Sequence, residues 1–392
     1  MTGKTTVVVA LGSTQTLAWA SSYYLPAILG APIAQALGLA PSLFFAIFSM
    51  ALLLSSGLAP LVGRAIDRHG GRPVLALSSA VLAGGLVALG LAHGVAGLCA
   101  AWLVLGVGTA MGLYVPAFAA LTRLYGIGAR GPITGITLFA GFASTIGWPV
   151  SAFMLAHYGW RETCLFWAAL NLVVCLPVNA LLIPPAPAAP PTPRAADRGD
   201  VAGGPDPQRA AMLVLMFFFA ATRFVSGALA AHLPRLLEGA GASEVAAIAA
   251  GALVGPAQVG ARLCEFGLLR NFHPLIPARV AALLHPLGAG CLAVLGPAGI
   301  SLFALLHGAG NGMLTIAGGT LPLALFGPSG YGRRTGLLAV PTRLAEAAAP
   351  LLFGLLVDRI GTAALAVSAG LCLAACASLF ALRSRAAAAA PI

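Results

Sequence analysis

The chain has 392 residues, of which 59% are hydrophobic and only 8% charged, and its mean hydropathy is +0.96. A soluble protein keeps roughly a quarter of its residues charged, so lipid must be the solvent for most of this surface. The net charge of +11 rests on arginines scattered in ones, twos and threes between apolar runs, with Lys4 the one lysine; a nucleic-acid binder would gather them on one face, which counts against that class.

A helix needs about 20 mainly apolar residues to cross the hydrocarbon core. On that measure the predicted spans are 6–29, 43–66, 74–93, 96–121, 132–156, 163–183, 210–236, 243–268, 275–295, 299–325, 336–357 and 362–382. The first contains Ala18-Trp19-Ala20, which imitates a signal cleavage site. The apolar stretch before it is short, however, and hydrophobicity continues through Tyr24 and Leu29, so an uncleaved helix is expected. Between spans six and seven, residues 184–209 are rich in Pro, Ala, Gly and Asp and carry no aromatic residue. Such a segment cannot bury a core and reads as a flexible linker between a first unit, 1–183, and a second, 210–392.

Two other patterns are set aside. Gly126-x-Gly128-x-x-Gly131 spells a dinucleotide fingerprint, yet it lies in a loop between membrane helices with no strand before it. No Walker sequence occurs, and no cofactor or metal is expected. The seven cysteines are odd in number and sit mostly inside apolar runs, so they read as small buried hydrophobes. Cys372 and Cys376 would share one helix face, which leaves a thiophilic ligand as the alternative there.

Positive charge sets the orientation of membrane loops. With both termini cytoplasmic, sixteen basic residues fall on the cytoplasmic side and three, Arg161, Arg235 and Arg359, on the other. The halves also repeat. Residues 124–135 align without gaps on 325–336 at an offset of 201, with Leu, Gly, Gly, Thr and Gly coinciding, and the same offset pairs Pro149 with Pro350. Gly106 and Gly108 match Gly308 and Gly310 at an offset of 202. A duplicated six-helix unit with both copies in one orientation points to a carrier whose site lies between the halves near the midplane.

The run Gly63-Arg64-Ala65-Ile66-Asp67-Arg68-His69-Gly70-Gly71-Arg72 resembles the signature loop between helices two and three of the major facilitator superfamily. Gly63 permits close helix approach, Asp67 can cap a helix or pair with an arginine, and Arg68 and Arg72 anchor the loop. The resemblance implies that this loop latches the halves in the outward-facing state. Arg262 and Glu265, also three residues apart, look like a degenerate copy after span eight, and Gly159-Trp160-Arg161 is a further feature common in the family. The drug–proton antiporters of that family carry an arginine in helix four, where this chain has Trp102. Their helix-five pattern is reduced here to Gly147-Trp148-Pro149. Both departures count against a standard drug antiporter.

Function should concentrate where polarity is costly, because an ionisable group at the bilayer centre costs several kcal/mol unless paired or wet. Arg223 lies near mid-membrane in span seven, and the resemblance implies that helices one, four, seven and ten line the cavity. It is either the anchor for an anionic substrate or a structural arginine paired within the bundle. Arg343 and Glu346 share one face of span eleven; they either neutralise one another or form a proton-coupling pair. His307 and Asn311 in span ten, Gln15 and Tyr24 in span one and Tyr114 in span four are candidates to shape the rest of the site. Tyr23 has the same standing, while His232 and His285 are placed nearer span ends.

The expected fold is an all-α membrane protein of twelve transmembrane helices in two pseudo-symmetric six-helix bundles, and the chain is not expected to be an enzyme. The expected function is secondary transport of a small solute, an organic anion, with a proton as the candidate coupling ion, by a monomer in a bacterial inner membrane. The alternatives are an exporter of drugs or amphipathic metabolites by proton antiport, a thiol-dependent metalloid exporter, and a receptor or scaffold that does not transport.

Overall fold

The computed structural model of the chain describes residues 3–186 and 207–382. Most of the predicted linker, with Arg194, Arg198, Arg383 and Arg385, lies outside the described residues. Among the described residues every regular element is helical, and eight segments are long and apolar enough to cross a membrane. Three of them, Gly94–Tyr158, Leu275–Phe326 and Tyr331–Ala381, run to 65, 52 and 51 residues. At 1.5 Å per residue each is far too long for a single crossing of a core about 30 Å thick. Each is interrupted by a short 3-10 turn that begins at a glycine with positive φ, Gly126, Gly296 or Gly361 (57°, 55° and 58°). The first of these lies at the predicted loop between spans four and five. Glycine reaches that conformation without the steric cost a Cβ imposes. Counting the three as pairs gives eleven passes.

The twelfth pass is the first in the chain, and it is broken. Helix α1 (Lys4–Ser21) gives way at Ser22–Tyr24 to α2 (Leu25–Ala36), where Pro26 in the first turn has no N–H to continue the ladder. A single helix over 6–29 is thus corrected to two. The other elements are α3 (Pro41–His69), α4 (Gly71–Gly90), α5 (Gly94–Gly112), α6 (Tyr114–Tyr125), α7 (Arg130–Ala140), α8 (Ala143–Tyr158), α9 (Trp160–Leu170) and α10 (Leu176–Leu181) in the first half. The second half has α11 (Pro207–Gly239), α12 (Glu244–Cys264), α13 (Leu275–Leu295), α14 (Ile300–Phe326), α15 (Tyr331–Ile360) and α16 (Ala364–Ser378). Spans four and five are each two helices, parted at Leu113 and at Gly141–Phe142. Helix α11 starts at Pro207, so the last residues of the predicted linker are helical.

The duplicated glycines do equivalent work. An added Cβ on Gly106 would meet the Ala51 backbone on α3, and one on Gly308 the Val254 backbone on α12. Gly108 likewise faces Leu82 on α4, and Gly310 faces Ala281 on α13. Each pair lets a helix lie backbone-to-backbone against its neighbour, which is how small residues replace the hydrophobic effect between helices in lipid. One apolar core is built from the first half alone, around Trp102 and Trp167, and two from the second, around Phe353 and Phe218. A fourth core crosses between halves: Tyr331 and Leu323 pack among Val7, Ile66 and Ile133.

That crossing core marks a seam. The backbones of Gly63 on α3 and Gly332 on α15 lie so close that neither position has room for a Cβ, and Gly336 sits against Ala59 and Pro60. Gly319 on α14 packs against Ile133 and Phe118. Basic residues gather at this end of the bundle. Lys4 Nζ donates to the Gly128 carbonyl (3.1 Å), and Arg130 reaches the Phe272 carbonyl (2.6 Å). The opposite end holds Arg161, bound to the Gly90 and Ala92 carbonyls, and the exposed Arg235–Asp358 pair (2.7 Å).

Candidate functional site

The break between α1 and α2 turns a cluster of aromatic rings toward the space between the halves. Trp19 contacts Tyr23, Tyr24 and Tyr114, with ring centroids 5.2, 6.0 and 4.9 Å apart. Trp148 stands edge-on to Tyr24 at 6.0 Å and donates Nε1–H to the Tyr24 carbonyl (3.2 Å). The hydroxyls of Tyr23, Tyr24 and Tyr114 make no hydrogen bond among the described residues. Gln15 lies deeper, buried, with Nε2 donating to the Gly112 carbonyl and Oε1 unpartnered among the described residues.

The opposing wall comes from the second half and is cationic. Arg223 on α11 lies within electrostatic range of Tyr23, Tyr24 and Tyr114. It is only partly buried and makes no ion pair or hydrogen bond among the described residues. Arg343 and Glu346 on α15 face Tyr23 and are each 24% exposed, paired at a loose 3.7 Å. Arg262 completes the wall, within range of Tyr24 and Tyr114.

Arg262 and Glu265 do not lie in a loop, contrary to the sequence expectation. Arg262 is in the last turn of α12, and Glu265 opens a π-helical turn, Glu265–Leu269, that prolongs it. Arg262 is only 6% exposed. It donates to the Gly312 carbonyl and Thr315 on its own half (both 3.4 Å) and to the Thr137 carbonyl of α7 on the other (3.2 Å). The α7–α8 break beside Gly141 makes room for its guanidinium.

At the seam, Asp67 lies at the end of α3 and accepts the Gly332 N–H on Oδ1 and the Arg333 N–H on Oδ2, both at 2.9 Å. One carboxylate from the first half thereby caps the N-terminus of α15 in the second, where the helix dipole also favours it. Arg68 and Arg72 flank this contact in sequence but contribute no hydrogen bond to it among the described residues. Just past the π turn, His273 Nδ1 accepts the Leu275 N–H at 3.3 Å. Burial, with Arg130 and Arg279 nearby, pushes this imidazole below its usual range, which keeps that nitrogen free to accept.

The structure does not bring His307 to Arg223. His307 Nδ1 lies 3.2 Å from His285 Nδ1, and His285 Nε2 lies 2.9 Å from Ser368 Oγ, inside the second half. His285 is midway along α13, not near its end. Asn311 bonds Ser226 on α11 (3.0 Å), and with His307 it lines a cavity of about 10 Å³, the size of one water. Trp19, Trp148 and Arg262 join this group of side chains without having been picked out as ligands, whereas Tyr23 was already a candidate. The signal for the two tryptophans is an aromatic residue ahead of a proline inside an apolar run, Pro26 and Pro149; nothing in the sequence gives the depth of Arg262.

The comparisons with known proteins follow this geometry. The Major Facilitator Superfamily model matches residues 11–306. Among solved structures, the human organic anion transporter MFSD10 (TETRAN) superposes with a TM-score of 0.71 at 19% identity, covering 97% of this chain and 100% of that one. The proton:xylose symporter XylE bound to 6-bromo-6-deoxy-D-glucose superposes with a TM-score of 0.73 at 14% identity, covering 97% and 95%. No curated protein matches in sequence. Two bundles of duplicated helices and a family match over residues 11–306 agree: the chain belongs to the major facilitator superfamily, and it is a multi-pass membrane protein and a secondary transporter rather than an enzyme.

Proposed function

We propose that the chain carries a small organic anion by alternating access between residues 1–183 and 210–392, joined by the linker 184–209. The observation that supports this most is Arg223. A mid-membrane arginine is costly unless something neutralises it, and the nearby acid, Glu346, already faces Arg343. A substrate carboxylate would supply the missing charge, with the free tyrosine hydroxyls as further donors. Among known folds of this shape, the human neighbour is described as an organic anion transporter, so the architecture can house such a site. Arg343 and Glu346 are the proposed proton-coupling pair, and Asp67 with Gly63 the proposed latch. The carrier works as a monomer in a bacterial inner membrane, with the Asp67 end cytoplasmic.

The aromatic wall favours one second reading, an exporter of amphipathic compounds that stack on Trp19 and Tyr114. Thermal shift of the detergent-purified protein, wild type beside Arg223→Ala, separates the two. A ligand that binds only the folded state adds about 2.7 kcal/mol at a hundredfold excess over its dissociation constant. Small carboxylates are expected to stabilise wild type and not the folded variant. Equal stabilisation of both by cations or neutral lipophiles would replace the anion reading with the exporter.

A further inference from the structure

A cavity of about 400 Å³ opens at the arginine-rich end of the molecule, where the start of α7 in the first half meets the turn beyond α12 in the second. Each half contributes one arginine to its wall, Arg130 from α7 and Arg270 from that turn. Arg130 uses two of its five N–H groups on the Phe272 and Leu269 carbonyls (2.6 and 3.2 Å), which fixes the guanidinium across the seam and leaves the other three. Arg270 and Asn271 are exposed, and neither side chain makes a hydrogen bond among the described residues.

We propose that this cavity binds the phosphate of an anionic phospholipid headgroup. Guanidinium groups with N–H bonds to spare suit a phosphate, whose oxygens accept several at once, and the Asn271 amide can add another. The wall sets two arginines against one acid, Glu265. That acid is only 3% exposed, so the face offered to a ligand is cationic. Thr134 brings no donor, because its hydroxyl donates to the Arg130 carbonyl (3.1 Å).

The apolar rim favours a lipid over a phosphate free in water. Phe266 lines the cavity and is also 41% exposed, which sets the mouth on the outward face of the helix end. Leu263, Leu268 and Phe272, close by in sequence, are exposed as well. At the end of a membrane-spanning helix such a surface is bathed by acyl chains, and a soluble ion gains nothing from it. Basic pockets between transmembrane helices recur as headgroup sites. A headgroup held by Arg130 and Arg270 together touches both halves, so the site is complete only while α7 and the end of α12 stay in contact. The inference rests on the two-halved fold and not on the anion preference. Lipid is held or lost without any transported solute, so the ligand screen above and the test below fail independently.

The test is native mass spectrometry of the full chain, delipidated in detergent and titrated with one of three probes. These are phosphatidylglycerol, phosphatidylcholine with the same chains, and glycerol phosphate, which keeps the anion and lacks the tails. Wild type is expected to hold one phosphatidylglycerol about tenfold more tightly than either of the others. R270A should lose about tenfold in that affinity, the scale of a lost charge-assisted hydrogen bond, and R270K should keep part of it. R68A removes the same charge from an exposed position at the same end and should match wild type. Equal retention of the two lipids by wild type, or an R270A that matches R68A, overturns the proposal. Glycerol phosphate held as tightly as phosphatidylglycerol overturns the lipid as occupant. If R270A does not fold, N271D decides: a carboxylate added to the wall must weaken phosphatidylglycerol retention, and unchanged retention overturns the site.

Discussion

Asp67 spans the two halves with one side chain. Its two oxygens each receive a backbone N–H at 2.9 Å from the first turn of α15, bonds that hold only while α3 and α15 stay in contact. Replacing an N-cap carboxylate commonly costs about 1 kcal/mol. Asp67→Asn keeps the shape but loses the charge and one acceptor, so it should weaken closure by roughly a factor of five to ten. Exchange rates of the first α15 amides, measured beside wild type, should rise by that factor; unchanged rates would show the cap to be incidental. Asp67 was legible because it stands in a ten-residue pattern at a turn. Arg262 was not, because three-residue spacing to an acid gives no depth. Only the burial of its guanidinium between Thr137, Gly312 and Thr315 reveals that it ties the two halves together.

At the scale of helices, the sequence spoke clearly about where apolar runs start and stop and poorly about where they break. Spans nine and ten match α13 and α14 to within a residue, since glycine and proline punctuate their ends, at Pro274, Gly296–Gly299 and Gly327 with Pro328. The breaks in spans one, four and five lie inside apolar runs; Pro26 marks the first, and tertiary contacts accompany two of them, Trp148 donating to the Tyr24 carbonyl and Arg262 lying beside Gly141. The repeated glycines, by contrast, were readable as a pair and do act as one. Gly308→Val would push α14 off the Val254 backbone of α12. Overpacking of this kind costs about 1–3 kcal/mol. The melting temperature in detergent should fall by several degrees, and the seam amides near Asp67 should be unaffected. A variant as stable as wild type would mean the helices part easily there.

For the molecule as a whole, the two ends differ in charge, and the difference fixes how it sits in the membrane if the positive-inside bias holds. Ile127, 79% exposed in the turn between α6 and α7, lies at the arginine-rich end beside Lys4. A single cysteine at Ile127 in an otherwise cysteine-free chain should react with a membrane-impermeant maleimide only after cells are permeabilised. Labelling of intact cells would invert the topology proposed here. The sign count made this orientation legible from loops alone, whereas the facing of each helix was hidden. No periodicity told that the aromatic residues would gather on one half and the arginines on the other.

The contact of Gly63 with Gly332 leaves no gap for water or lipid between α3 and α15. A cavity flooded from the far end would then be an extension of the outer solution, and the electrical insulation of the bilayer would shrink to the thickness of that dry glycine contact. Most of the membrane voltage would drop there, where Asp67 stands. Moving one elementary charge through the full drop is worth about 2.3 kcal/mol per 100 mV, so an energised membrane would press on the seam itself.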